Sequence, residues 1–168
     1  MNIFVLDNNP YLAAHYLLDK HVNKMLLESS QMLCSIYQPG SAPYKRSYYN
    51  HPCTIWTRSS KQNYEWLLTH AEGIAIEYAF RYRKDHACKK VINWCKTNYH
   101  VLSLPDIGLT PFAQAMPDCY KNEDAVKAYR AYYIDAKADI ATWTLPSVSP
   151  PWWPYKELPH VPLHGIKE

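Results

Sequence analysis

The sequence predicts a mainly α-helical protein of one domain, with a short extended segment at its N-terminus and an irregular tail rich in proline and tryptophan. Three observations predict it. Apolar residues recur at intervals of three and four through the long segments after residue 10. Proline or a capping residue stands at the head of these segments, at Asn9-Pro10, Pro52 and Asn122. The length of 168 residues suits one domain with a substantial core, and no repeat or linker divides it. The helical body is read as residues 1–145, and the tail, 146–168, as extended chain packed on it.

In chain order, Met1 to Leu6 is short and apolar, fit for a small strand or a docked extended segment. Tyr11 to Tyr37 reads as one long helix capped by Asn9, with Leu18, Val22, Met25, Ser29, Met32, Leu33 and Ile36 on its inner side. Pro39-Gly40 and Pro43 mark a loop from Gln38 to Asn50. Pro52 opens a second helix to about Arg83, with Ile55, Trp56, Trp66, Leu67, Ile74 and Tyr78 as its apolar set. Within it, Glu77 and Arg81 stand four apart in the favoured order for an ion pair. A shorter helix is expected from His86 to Tyr99, followed by an irregular stretch, Leu102 to Cys119, in which Thr110-Pro111 can open one helical turn. Asn122 caps a last helix, with Glu123 and Asp124 in its first turn, and Val126, Tyr129, Tyr133, Ala136, Ile140 and Trp143 facing inward. From Pro146, the run Pro150-Pro151-Trp152-Trp153-Pro154 excludes regular helix.

The composition narrows the function classes. A net charge of +3 permits nucleic-acid binding without demanding it. Fifteen Tyr and six Trp against three Phe give many side chains with an apolar body and a polar tip. Five Cys without a CxxC motif or a preceding signal segment suggest reduced thiols in a cytoplasm. His86, Cys88 and Cys95 have ligand chemistry but match no usual zinc spacing, so neither metal nor cofactor is expected. No apolar run reaches a membrane span, and a monomer is expected.

One stripe carries chemistry. His21, Lys24, Glu28, Gln31 and Ser35 fall in a row on the first helix, spaced as helical neighbours. The row is either a solvated face, with Lys24 and Glu28 a surface ion pair worth less than about 1 kcal/mol, or a working surface. Asp19 reads as a partner for a nearby cation, and His21 taken alone fits a structural histidine better than a catalytic one.

Leu18-Asp19-Lys20-His21-Val22, with Glu28 seven residues after His21, resembles the first helix of the phage pyrimidine-dimer DNA glycosylases of the endonuclease V type. In that family an Asp-x-His pair is followed at the same interval by the catalytic glutamate. Tyr64 to Arg81 is similar to the family's second helix, with its Tyr, apolar spacing and Glu-x-x-x-Arg ending. The opening Met1-Asn2-Ile3-Phe4-Val5-Leu6 looks like that of bacterial proteins of the same group, and Tyr129, Tyr132 and Tyr133 loosely match its aromatic C-terminal part. The family's nucleophile is an N-terminal amine freed by loss of the initiator Met. Here residue 2 is Asn, which disfavours that loss, so the corresponding amine is that of Met1. The family's arginines near the glutamate fall at Leu27 and Gln31.

The resemblance implies a DNA glycosylase acting on damaged or modified pyrimidines in double-stranded DNA, with or without AP-lyase activity. Such an enzyme needs an unprotonated amine to attack the sugar, a carboxylate to move protons, and a means of opening the duplex. Glu28 is the carboxylate. Met1 is preferred to Lys24 as the amine, because an α-amine sheds its proton more easily than a lysine beside a carboxylate. His21 is placed to contact a phosphate or share the proton transfer. The expected DNA face is Lys45, Arg46, Tyr48, Tyr49, Asn50 and His51 in the loop, with Arg58, Lys61 and Asn63 on the next helix. There, cations track phosphates and tyrosines stack on bases. An ordinary polar loop explains these residues equally well. Two other readings compete: a phage-type enzyme on the same fold that transfers a group to a modified base or nucleotide, and a non-catalytic DNA-binding module.

Overall fold

A computed structural model describes residues 1–155. Residues 156–168, part of the expected tail, lie outside the described residues. Six α-helices follow in order: α1 (Pro10–His15), α2 (Asp19–Cys34), α3 (Pro52–Ser59), α4 (Lys61–Tyr82), α5 (Lys89–Asn98) and α6 (Ala125–Ala136). Short 3-10 turns occupy Tyr99–Val101, Asp118–Tyr120 and Ala138–Ile140. No strand forms among the described residues. Met1 to Leu6 is extended chain threaded into the core, with Ile3, Phe4, Val5 and Leu6 all buried.

Each long helix expected from the sequence is two helices. The first breaks at Tyr16–Leu18, where tertiary partners take the backbone N–H groups that a continuous helix would use. Leu18 N–H donates to the Tyr133 hydroxyl at 3.1 Å, and Asp19 N–H to the Thr142 carbonyl at 2.9 Å. The second breaks at Ser60, whose extended backbone and side chain cap α4 through Asn63 N–H. Lys61 N–H turns aside to the Pro105 carbonyl at 2.8 Å.

The central element is α4, which α1, α2, α3 and α5 all contact. Gly73 permits a close approach of α1. A Cβ there would stand 3.0 Å from the Ala14 Cβ and 3.2 Å from the Tyr11 ring. The inner faces agree with the sequence pattern, except that Ile55 and Ala136 are exposed. The last helix starts later than expected: Asp124, not Asn122, accepts from Val126 and Lys127 N–H. It also ends at Ala136, so Ile140 lies on a 3-10 turn and Trp143 on irregular chain. Thr110-Pro111 opens no helical turn, because Asn63 engages both the backbone and the hydroxyl of Thr110.

The described part of the tail is packed. Trp153 is buried against Trp143, ring centroids 5.2 Å apart, and the Trp143 indole N–H donates to the Tyr16 carbonyl. No helix of the described residues is long and apolar enough to cross a membrane.

Candidate active site

Glu28 sits near the middle of α2 with its side chain only 10% exposed. The N-terminal segment crosses this face of the helix. The Met1 amine lies 3.7 Å from Glu28 Oε2, and the Asn2 backbone N–H donates to the same oxygen at 2.9 Å. Lys24, one turn earlier, places Nζ 3.7 Å from Oε1, but 69% of its side chain is in solvent. The two oxygens therefore meet different surroundings, one the buried chain terminus and the other a surface lysine.

Asn2 fixes the terminus there. Its Oδ1 accepts from Ile3 and Phe4 N–H at 2.8 and 3.2 Å, and its Nδ2 donates to the Ala115 carbonyl at 2.8 Å. That strand of chain is held in turn by Tyr129, whose hydroxyl donates to the Ala113 carbonyl and accepts from Ala115 N–H. Phe4 adopts φ +56°, and the turn lets its ring lie on His21 at a centroid distance of 4.3 Å. An asparagine at position 2 carries no motif, so its role is not legible in the sequence.

His51 caps α3, accepting from Cys53 N–H at Nδ1, which places the proton of the neutral ring on Nε2. Burial holds its pKa below the usual range, the positive N-terminus adds to this, and Glu28 opposes it. The Cys53 thiol is pushed up to about 12, chiefly by burial, while the same amine and carboxylate act on it in opposite senses. The head of α3 thus lies within reach of the fields of the amine and the carboxylate.

His21 is placed elsewhere. It is buried, with Nδ1 2.8 Å from the Tyr133 hydroxyl. Burial, assisted by Lys137 and Lys24, lowers its pKa to about 3, so the ring is neutral and accepts from Tyr133. Two turns, about 10.5 Å of helix rise, separate it from Glu28. It meets the N-terminal segment through Phe4 rather than joining the amine and carboxylate.

The expected DNA face divides. The Tyr49 ring lies between two guanidinium groups, Arg46 at 4.2 Å and Arg58 at 3.9 Å from its centroid. Arg46 also donates to the Ser35 and Tyr37 carbonyls just past α2, and Arg58 to the Tyr49 carbonyl. Lys45, Tyr48 and Asn50 are exposed beside them. Lys61 is exposed but lines a shallow cleft with Tyr64, Tyr99 and His100 and pairs with Glu65. Asn63 faces inward: it is fully buried, donating to the Trp56 carbonyl and Thr110 hydroxyl and accepting from Thr110 N–H. The sequence carries no sign of this, because Thr110 arrives from a distant irregular segment.

Two further motifs are structural. Arg81, with a side chain fully out of solvent, donates to Glu77 at 2.8 Å, Asp19 at 3.0 Å and the His15 carbonyl at 3.1 Å. Asp19 also accepts from Thr142 and Thr144, and Glu77 from Ser147. The Glu-x-x-x-Arg ending and the Asp of Asp-x-His are thus one clasp joining α2, α4 and the start of the tail. Of the zinc-type residues, His86 turns to Asn23, while Cys95 lies 4.0 Å from Cys34 in the core.

A family model described as pyrimidine dimer DNA glycosylase matches residues 1–90. No curated protein and no solved structure matches the chain. The matched region covers more than half of the 168 residues and contains α1 to α4, the Met1 amine, Glu28, His51 and the Asp19–Arg81 clasp. The chain belongs to the pyrimidine dimer DNA glycosylase family.

Proposed function

We propose that the protein excises damaged or modified pyrimidines, pyrimidine dimers foremost, from double-stranded DNA, with the Met1 amine as nucleophile and Glu28 as its proton-handling carboxylate. One observation carries the reading: in a chain of this family, the terminal amine stands 3.7 Å from a carboxylate held out of bulk water. The neutral amine attacks C1′ of the sugar. The C1′–N bond breaks, and the base leaves with the bonding electrons and takes up a proton. Ionised Glu28 steadies the cationic sugar as the C1′–N bond breaks, and then accepts the proton shed by the amine. Ring opening, with a proton delivered to O4′, leaves a protonated Schiff base between Met1 and C1′. Removal of a C2′ proton from this imine expels the 3′ phosphate, which is the AP-lyase step. Glu28 is the base nearest the amine for that transfer. His51, with its proton on Nε2, is a further donor at the head of α3, and His21 positions the terminus through Phe4.

Lys24, Lys45, Arg46, Arg58 and Asn50 supply phosphate and sugar contacts in this reading, and Tyr48 and Tyr49 flat surfaces for bases. Lys61, exposed at the head of α4, is a further cation for phosphate, whereas Asn63 is buried and takes no part. Glu28→Gln keeps the shape and removes the base. Cleavage of both dimer-containing and abasic duplexes falls by about 100-fold or more, while binding of the same duplexes in a gel-shift assay persists. Cleavage at the wild-type rate contradicts the reading.

A second form of the mechanism has its own support. Asn2 N–H already touches Glu28 Oε2 at 2.9 Å, so removal of Met1 exposes an amine in contact with the carboxylate. The mass of the intact protein decides between the two.

A further inference from the structure

Tyr48 is held in a way that the chemistry at Met1 and Glu28 does not use. It is the most exposed aromatic side chain among the described residues, at 63%. Its backbone has φ +50°, a left-handed conformation that a bulky residue adopts only at a cost. The neighbouring residues hold it there. Ser47 is bonded twice to the Ser35 hydroxyl, through its N–H at 3.0 Å and its carbonyl at 2.8 Å. Tyr49 is gripped between Arg46 and Arg58. The Tyr48 carbonyl itself accepts from His51 N–H at 3.0 Å. A strained, outward aromatic is thus mounted on a rigid turn. That turn ends at His51, which feels both the terminal amine and Glu28.

A hydrophobic collapse would bury such a ring, and a polar loop would not strain its backbone to present one. A strained residue fixed by its surroundings is a mark of a working position. Enzymes that act on a base within a duplex must displace a nucleotide and fill or wedge the space it leaves, and aromatic or apolar side chains inserted between base steps do this. The flanking cations Lys45, Arg46 and Arg58 suit the phosphates on either side of the opened step.

We propose that Tyr48 is the base-opening residue, inserted into the duplex beside the lesion to drive a nucleotide out of the stack. The proposal rests on the glycosylase reading above. It separates the opening of the duplex, by the 47–51 turn, from the chemistry, by Met1 and Glu28.

The test uses the full chain and two duplexes. One carries a pyrimidine dimer opposite a fluorescent adenine analogue, and the other an abasic site, which has no base to displace. Tyr48→Gly is the first variant, because glycine adopts φ +50° without strain and the turn persists. Tyr48→Phe and Tyr48→Trp keep a flat ring. The wild type raises the fluorescence of the analogue as the base unstacks, and borohydride traps it on abasic DNA. In Tyr48→Gly the fluorescence rise is lost, and dimer excision falls at least about tenfold further than abasic trapping. The Phe and Trp variants restore both readouts. Tyr48→Gly with wild-type fluorescence and dimer excision overturns the proposal, as does failure of Phe and Trp to restore them. A wild type that neither traps abasic DNA nor unstacks the analogue overturns the glycosylase reading and this one with it. A wild type that does both, with a matching Tyr48→Gly, overturns this one alone.

Discussion

Glu28 and Asn63 show how differently two polar residues on amphipathic helices can be used. Both were candidates by their position in the sequence, Glu28 through its interval from His21 and Asn63 through its place after the basic loop. Glu28 meets the chain terminus, which the spacing within one helix cannot show but the family resemblance anticipates. Asn63 is buried and makes three hydrogen bonds to Trp56 and Thr110. Its replacement leaves the buried Trp56 carbonyl and the half-buried Thr110 N–H without their partner. Asn63→Ala therefore costs about 2–3 kcal/mol of stability in urea unfolding, while DNA affinity per folded molecule is unchanged. A large loss of affinity with intact stability would restore Asn63 to the DNA face. His21 was legible as an alternative between structure and catalysis. What decides its place is Tyr133, 112 residues away along the chain, and no local pattern reveals a contact so remote.

At the scale of elements, the periodicity located the helical segments but not their interruptions. Ser60 is a capping residue of the preferred type, so the start of α4 was readable in principle; the apolar pattern running through it concealed the break. The break before α2 was not readable. Its cause lies in partners contributed by Tyr133 and Thr142. The Glu77–Arg81 pair was expected from its spacing, and Asp19 was expected to find a cation. Their union in a single buried clasp depends on α2 packing against α4. Removing one partner from a buried ion pair leaves an uncompensated charge, which costs more than the pair contributes. Glu77→Ala is thus expected to destabilise the fold by about 3–5 kcal/mol in urea unfolding. A change below about 1 kcal/mol, as for a surface pair, would contradict the clasp. This also explains why the resemblance extends through the second helix: its matching residues hold the scaffold on which Glu28 and the terminus meet.

At the scale of the whole molecule, two buried histidines couple the fold to pH. Burial lowers His21 from the ordinary 6.5 to about 3 and His70 to about 4. The unfolded chain takes up these protons below pH 6.5, whereas the native chain refuses them until far lower pH. Their contribution to stability is therefore complete above 6.5 and is lost as pH falls toward 4, at up to about 1.4 kcal/mol per pH unit for each histidine. Urea unfolding at a series of pH values reads this slope, and a flat profile between 7 and 5 would contradict the burial of both rings. The fold holds the N-terminal segment against α2, and the central claim is that this contact is chemical. Borohydride trapping on an oligonucleotide with one abasic site tests it most directly, using protein with a free and with a selectively blocked N-terminus. The account predicts a covalent adduct that is lost on blocking and that maps to the N-terminal residue. An adduct that survives blocking, one that maps to Lys24, or no adduct from the free protein would contradict it.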